Sequence, residues 1–288
     1  MTNNAHIELV TGFYDTHPIS EKQVLDKLVQ DGFDQSSLDQ SILQDYDQDH
    51  FGGLAATDTL ARLVNISRST HILDVCCGLG GPARYLAYHY GSQVTGIDLN
   101  QSRVDGAIRL TAMVGLEEKV SFNRTNALSS ALPSDEFDAL IAQEAFCHIP
   151  NKSRLLTECV RLLKPGGLIA FTDILATPRM TTTVRKRLLE EMTFAELETL
   201  DGYQVLLEAS GCVLEKAEDL SEEWARILVE RLAMYRSLKD QTVARFGNAH
   251  FDKWDRAYSF FVELYASGEL GGGRFLARKC IQTDPHPS

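Results

Sequence analysis

Lysine and arginine are scarce in this chain, 28 against 40 acidic residues, which leaves a formal charge of −12 over 288 residues. The basic residues form no run, and a nucleic-acid surface needs a clustered basic footprint, so DNA and RNA are not expected partners. No apolar stretch approaches the roughly 20 residues of a membrane span. The opening Met1-Thr-Asn-Asn-Ala-His6 has no charged-then-apolar leader pattern, and a cytoplasmic protein is expected. The six cysteines (76, 77, 147, 159, 212 and 280) show no C-x-x-C spacing. Adjacent Cys76 and Cys77 do not make the usual zinc-knuckle pair, so no metal site is expected and the pair reads as small buried residues packing a loop. Internal repeats and low-complexity segments are also missing.

What is present begins at residues 72–81, Ile-Leu-Asp-Val-Cys-Cys-Gly-Leu-Gly-Gly, an apolar run that holds an acid and breaks into a glycine loop. Val94-Thr-Gly-Ile-Asp98 ends a second such run in another acid. Glycine lets a backbone approach a ligand closely, and a carboxylate at a strand end can accept from ribose hydroxyls. A dinucleotide site would want G-x-G-x-x-G with a phosphate on the helix N-terminus. Here Asp74 precedes Gly78 and Gly80 and stands where a pyrophosphate would need room. A cationic ligand suits that acid better. The bland alternative is a tight strand-to-helix turn of any α/β protein.

Periodicity divides the chain into three stretches. Residues 1–50 are polar with helical spacing at Glu21–Val29, and Ser20 offers an N-cap after Pro18. Residues 55–175 alternate, with helices near 55–66, 81–90, 101–114 and 151–163 and strands near 71–76, 93–98, 119–124, 137–142 and 167–174. That alternation predicts a parallel sheet with crossover helices, and apolar runs suit strands covered on both faces. Beyond 175 come helical residues 179–210, a strand from Gly211, helical stretches at about 222–240 and 249–266, and a closing strand over 271–279.

Three more segments complete a recognisable pattern: Asp135–His148, the Leu162-Leu-Lys-Pro-Gly-Gly167 turn and Leu168–Asp173. With the two acid-ended strands, the chain over roughly 50–175 resembles class I S-adenosylmethionine-dependent methyltransferases. It looks most like the small-molecule branch with phosphoethanolamine, sarcosine/dimethylglycine and tocopherol methyltransferases. The resemblance implies an α/β, Rossmann-like, doubly wound, mostly parallel seven-stranded sheet with an antiparallel last strand and a helical roof. It implies an N-terminal helical lid over the cofactor in residues 1–50 and a methyltransferase domain in 51–288, with roof insertions at about 176–210 and 222–270. The cofactor would be S-adenosyl-L-methionine, leaving as S-adenosyl-L-homocysteine. The partner would be a small-molecule acceptor, and a homodimer stays open.

Residue by residue, the resemblance puts Asp74, Gly78 and Gly80 near the methionine part, Asp98 on the ribose and Leu99 against the adenine. Asn126-Ala127 replaces the acid that usually meets the adenine amino group, and Asn126 can accept through its carbonyl. Gln143 and Glu144 fall around the sulfonium and acceptor. His148 aligns with a histidine beside the acceptor nitrogen in phosphoethanolamine enzymes; an imidazole with an ordinary value of ~6.5 can take a proton at neutral pH, or His148 can simply cap the next helix. His50 or Tyr46, in the segment that folds over the cofactor, can touch either ligand. Two features depart from the phosphoethanolamine pattern. Their N-terminal partner tyrosine has no counterpart in Phe33–Ser41, and Ile174 stands where they hold phosphate with a tyrosine.

The leading expectation is therefore N-methylation of a small amine or amino acid, with Asp47, Asp49 and Glu144 attracting the amine and His148 and Glu144 catalytic. C- or O-methylation of a prenylated, quinone-like or tocopherol-like acceptor is the alternative. A pocket lined by Leu, Phe and Trp without convergent acids would favour it. A cofactor-binding protein without transfer activity and, more distantly, a dehydrogenase also stand open.

Overall fold

The computed structural model describes residues 3–17 and 19–281. Its N-terminal helices are α1 (Asn3–Asp15), α2 (Glu21–Gln30) and the single turn α3 (Gln40–Leu43). Next come α4 (Gly53–Leu63), β1 (His71–Val75), α5 (Gly81–Tyr90), β2 (Gln93–Asp98), α6 (Gln101–Met113), β3 (Val120–Arg124), β4 (Phe137–Gln143), α7 (Lys152–Leu162) and β5 (Leu163–Ala176). The chain continues through α8 (Thr182–Met192), α9 (Leu200–Ala209), β6 (Cys212–Asp219), α10 (Ser221–Ser237), α11 (Lys239–Phe246), α12 (Asn248–Ser267) and β7 (Leu270–Lys279).

The seven strands run in the order β3-β2-β1-β4-β5-β7-β6. Strands β1 to β5 are mutually parallel, and β7 pairs antiparallel with both β5 and β6. This is the expected seven-stranded sheet with an antiparallel closing strand. Apolar runs cause it: Ile72, Leu73, Val75, Leu140 and Ile141 are all buried, because helices cover both faces. One face packs on α7 and α9 through Leu155, Cys159, Tyr203 and Leu207. The other packs on α4, α5 and α6 through Leu60, Leu86 and Ala107. The order reverses at β1, between β2 and β4, and such switch points open a crevice beyond the strand ends.

Boundaries differ where glycines intervene. β5 starts at Leu163 rather than 167, drawing Lys164-Pro-Gly-Gly into the strand, and the register against β4 shifts between Phe137 and Ala139. The C-terminal roof has three helices rather than two stretches, because Gly247, at φ 83°, breaks the chain between α11 and α12. α9 lies beside the sheet with Tyr203 fully buried in its core, whereas α8, α10 and α12 form a separate cluster around Leu188, Trp224 and Phe261. Ser20 caps α2 by accepting from Gln23 N–H. No helix among the described residues is long and apolar enough to cross a membrane.

The entry segment 47–51 is clamped to this frame. Arg84 of α5 is fully buried and donates from Nη2 to Asp47 Oδ2 at 2.7 Å and from Nη1 to Thr111 Oγ1 at 3.0 Å. An ion pair taken out of water stabilises little beyond a hydrophobic equivalent, but removing one partner strands the other charge. Replacing Asp47 with Ala is expected to destabilise the fold by about 3–5 kcal/mol, read from urea unfolding midpoints. A loss below about 1 kcal/mol would mean that Arg84 reaches water.

Candidate active site

The strand ends and the N-terminal segment together enclose a cavity of about 250 Å³. Asp74, Gly78, Asp98, Leu99, Asn126, Ala127, Gln143, Glu144, His148 and His50 all line it, so the fold brings ten of the eleven expected site residues together. Gly80 is the one that does not. It occupies the left-handed N-cap of α5 at φ 78°, and a Cβ there would meet Phe122 Cε1 at 2.8 Å and Arg84 Nη1 at 2.9 Å. Its demand is for packing space behind the loop.

At the nucleoside end, Asp98 is held at the tip of β2, its Oδ2 accepting from Gly78 N–H at 3.0 Å and its Oδ1 from Asn100 N–H at 2.9 Å. Asn126 is fixed by its own turn. Its carbonyl accepts from Leu128 N–H at 2.9 Å in a local Asx turn, which leaves one lone pair and both amide hydrogens unused. Asp74 is the one cavity-lining acid with an unpartnered buried oxygen, Oδ2, among the described residues. Burial first, then the nearby Asp98 charge, push its carboxyl up to about 7, with Arg84 opposing. A lone buried carboxylate calls for a cation or a donor, which a sulfonium with an ammonium group beside it provides.

Glu144 is hydrogen-bonded within the chain. It sits in the left-handed region at φ 45°, and its two oxygens accept from Phe51 N–H at 2.5 Å and Thr172 Oγ1 at 2.6 Å. Burial pushes it up to about 7 against those two bonds. His50 is similarly engaged, with Gln48, Thr57 and Gln143 within 3.0 Å of its ring nitrogens, and burial lowers it to about 4. Tyr46 does not line the cavity; its hydroxyl donates to Asp31.

His148 lies on the 146–148 turn after β4, with its ring nitrogens 2.9 Å from Thr193 Oγ1 and 3.0 Å from the hydroxyl of Tyr14. Burial pushes it down to about 3, so the imidazole is neutral across the physiological range. Tyr14 belongs to α1, 134 residues away in sequence. Phe33–Ser41 holds no tyrosine, and Tyr14 is the N-terminal tyrosine that meets His148. His6 ties the same helix to the backbone, its Nε2 lying 2.7 Å from His148 O. The only local signal for Tyr14 was an aromatic pair, Phe13-Tyr14, within a polar helix. The turn itself is fixed by fully buried Lys152, which donates to the carbonyls of Phe146, Ile149 and Glu196 at 2.6–2.7 Å.

Apolar side chains lining the cavity include Ile174, Met192, Phe194, Leu228, Trp254 and Phe261. The acids expected to attract an amine are already paired. Asp47 is bound to Arg84, Glu144 to Phe51 and Thr172. Burial opposes ionisation of Asp49, but His17, Arg103 and Arg231 together hold it below the ordinary carboxylate range.

Asp74 titrates higher in the folded chain than unfolded. Between about pH 4 and 7 the folded state therefore binds more protons, and stability falls as pH rises through that window. Asp74→Asn is expected to exceed the parent chain in stability by on the order of 2 kcal/mol at pH 8. The difference should close near pH 4. Chemical denaturation at the two pH values checks this, and a gain that grew toward acid would contradict the burial of an unpaired carboxylate.

A family model described as a methyltransferase domain matches residues 73–171. Methyltransferase GfsG of Streptomyces halstedii is 32% identical over 221 residues, covering 74% of this chain and 80% of that protein. A phosphoethanolamine N-methyltransferase of Triticum aestivum is 26% identical over 228 residues, covering 79% of this chain and 45% of its own length. The chain thus spans about half the length of the plant phosphoethanolamine enzymes it matches. Among solved structures, phosphoethanolamine N-methyltransferase 2 of Haemonchus contortus, in complex with phosphomonomethylethanolamine and S-adenosylhomocysteine, aligns with a TM-score of 0.77 at 19% identity, over 94% of this chain and 60% of that one. That likeness is one of fold. With the unpaired carboxylate of Asp74 near the end of β1 and Asp98 at the end of β2, the chain belongs to the S-adenosylmethionine-dependent methyltransferase family.

Proposed function

We propose that the chain methylates a hydroxyl of a small acceptor with an apolar body, deprotonating it through Tyr14 and His148. The observation that carries this reading is the acceptor side of the cavity, where aliphatic and aromatic side chains surround His148 and each nearby acid is paired. Asp74 and Gly78 would hold the amino-acid and sulfonium part of the cofactor, Asp98 the ribose, and Leu99, Asn126 and Ala127 the adenine. Gly80 acts behind them, by letting Phe122 pack. Residues 1–50 serve as a lid, with α1 laid over the cavity.

S-adenosylmethionine, when bound, supplies an electrophilic methyl group and departs as a neutral thioether. The chain's residues position the nucleophile and manage its proton. The tautomer with Nδ1–H donating to Thr193 Oγ1 leaves His148 Nε2 as acceptor for the Tyr14 hydroxyl. As the acceptor oxygen bonds to carbon, its proton passes to Tyr14 Oη, and the Tyr14 proton passes to His148 Nε2. Orientation in a dry cavity supplies most of the barrier reduction, roughly 7–11 kcal/mol for well-placed reactants. Glu144 latches Phe51 and acts by positioning.

N-methylation of an amine is the second reading, favoured by the Tyr14–His148 contact, which supplies the tyrosine that the phosphoethanolamine resemblance implies. Radiolabelled methyl transfer to two pools separates them. Label in apolar hydroxy compounds supports the first reading, and label confined to amines replaces it with the second. In either pool, Tyr14→Phe and His148→Ala are each expected to lower kcat on the order of 10²-fold while S-adenosylhomocysteine affinity stays within about twofold. The double variant should lose little more than either single one, since the two groups act as a unit. Additive losses would show that they act separately.

A further inference from the structure

Two buried donors at one corner of the cavity have no acceptor. Trp254 Nε1 on α12 and Arg103 Nη2 on α6 are both enclosed without a hydrogen-bond partner among the described residues. Both residues line the cavity, and they are only 3% and 4% exposed. Both residues border the His17–Asp49 pair. The His17 ring lies 5.3 Å from that of Trp254, and its Nδ1 is 3.8 Å from Asp49 Oδ2. The same Asp49 oxygen lies 3.6 Å from Arg103 Nη1. Tyr14 closes the corner, its ring centroid 5.1 Å from the Arg103 guanidinium.

Indole and guanidinium N–H groups only donate, so what they lack is an oxygen or nitrogen acceptor. Folded chains seldom leave such buried donors unmatched without a reason. Charge narrows the choice. Asp49 already faces His17, Arg103 and Arg231, and a carboxylate or phosphate would have to compete with that acid for the same cations against its repulsion. A neutral carbonyl meets no such repulsion, and Phe13, Tyr258 and Trp254 offer it apolar surroundings.

We infer that the acceptor presents a neutral carbonyl oxygen, as in a ketone, quinone, ester or lactone, to Trp254 Nε1–H and Arg103 Nη2. The inference rests on the acceptor site proposed above and narrows its substrate class to apolar carbonyl compounds. The cofactor's own oxygens are the other source of the same chemistry. Arg103, in the first turn of α6, acts on the Asp98 charge, whereas Trp254 belongs to the roof and packs on Phe13 and His17, so its indole is the donor that reports the acceptor.

The chain has two tryptophans, Trp224 and Trp254, so a nitrogen-15 correlation spectrum holds two indole signals, assigned with Trp254→Phe or, if that variant does not fold, Trp224→Phe. S-adenosylhomocysteine is added first, followed in separate samples by 2-acetylnaphthalene, 2-ethylnaphthalene or 2-naphthoate. The ketone is expected to move the Trp254 indole proton downfield and to bind roughly three- to tenfold more tightly than the hydrocarbon, the range of one hydrogen bond. That advantage should vanish in Trp254→Phe. An unmoved Trp254 signal with the ketone overturns the inference, as does tighter binding of the naphthoate. A downfield shift on S-adenosylhomocysteine alone assigns the corner to the cofactor and overturns it too. Titrating the three probes without S-adenosylhomocysteine keeps the tests apart: failure of S-adenosylhomocysteine to bind removes the methyltransferase reading, while the indole response to the ketone still decides the corner.

Discussion

Five residues before α4 hold the cavity closed, and they are held from three sides. Asp47 is bound to fully buried Arg84 of α5. The carbonyls of Asp49 and His50 accept from Arg231 of α10, and Phe51 N–H donates to Glu144 at the end of β4. Each tie uses a charged group in a site with little water, where a partner's loss would leave a desolvated charge or donor. The sheet supplies half of the cavity wall. α1, segment 47–51 and the roof supply the rest, and the segment joins the strand ends to the roof.

This clamp explains why several charges near the site do not read as ligands. Glu144, Asp47 and Asp49 are acids in or near the cavity, and each is spoken for by the closure of the chain. Asp74 is different, because Asp98 crowds it and nothing in the described chain satisfies Oδ2. Non-glycine residues in the left-handed region, Cys76, Glu144, Asn151 and Thr193, also sit around the site. Such conformations cost about 1–3 kcal/mol each, and here they aim the loop after β1, the Phe51 latch and both sides of the His148 turn. Stability is given up where ligands must be met.

Much of the fold was legible from the chain itself. Runs such as Ile72–Val75 and Leu168–Leu175 have no reading but a strand covered on both sides, and their spacing around helical stretches implies a parallel sheet. The cofactor end was legible because its groups lie within a few residues of strand ends. Three things were not. Gly80 reads like Gly78 until Phe122 of β3 is seen to fill the space its missing Cβ leaves. α9 reads as roof until Tyr203 is placed under β5. Nothing local marks Tyr14, and its contact with His148 spans 134 residues.

The sequence by itself determined the sheet, the order of its elements and a pair of acids at adjacent strand ends, since apolar periodicity and glycine placement are local properties. The tertiary structure decided which of the acids remain unpaired, that His148 is neutral and partnered by Tyr14, and that Trp254 and Arg103 each bring an unpartnered buried donor to the cavity. Those outcomes depend on desolvation and on partners far apart in the chain, and neither leaves a pattern in neighbouring residues.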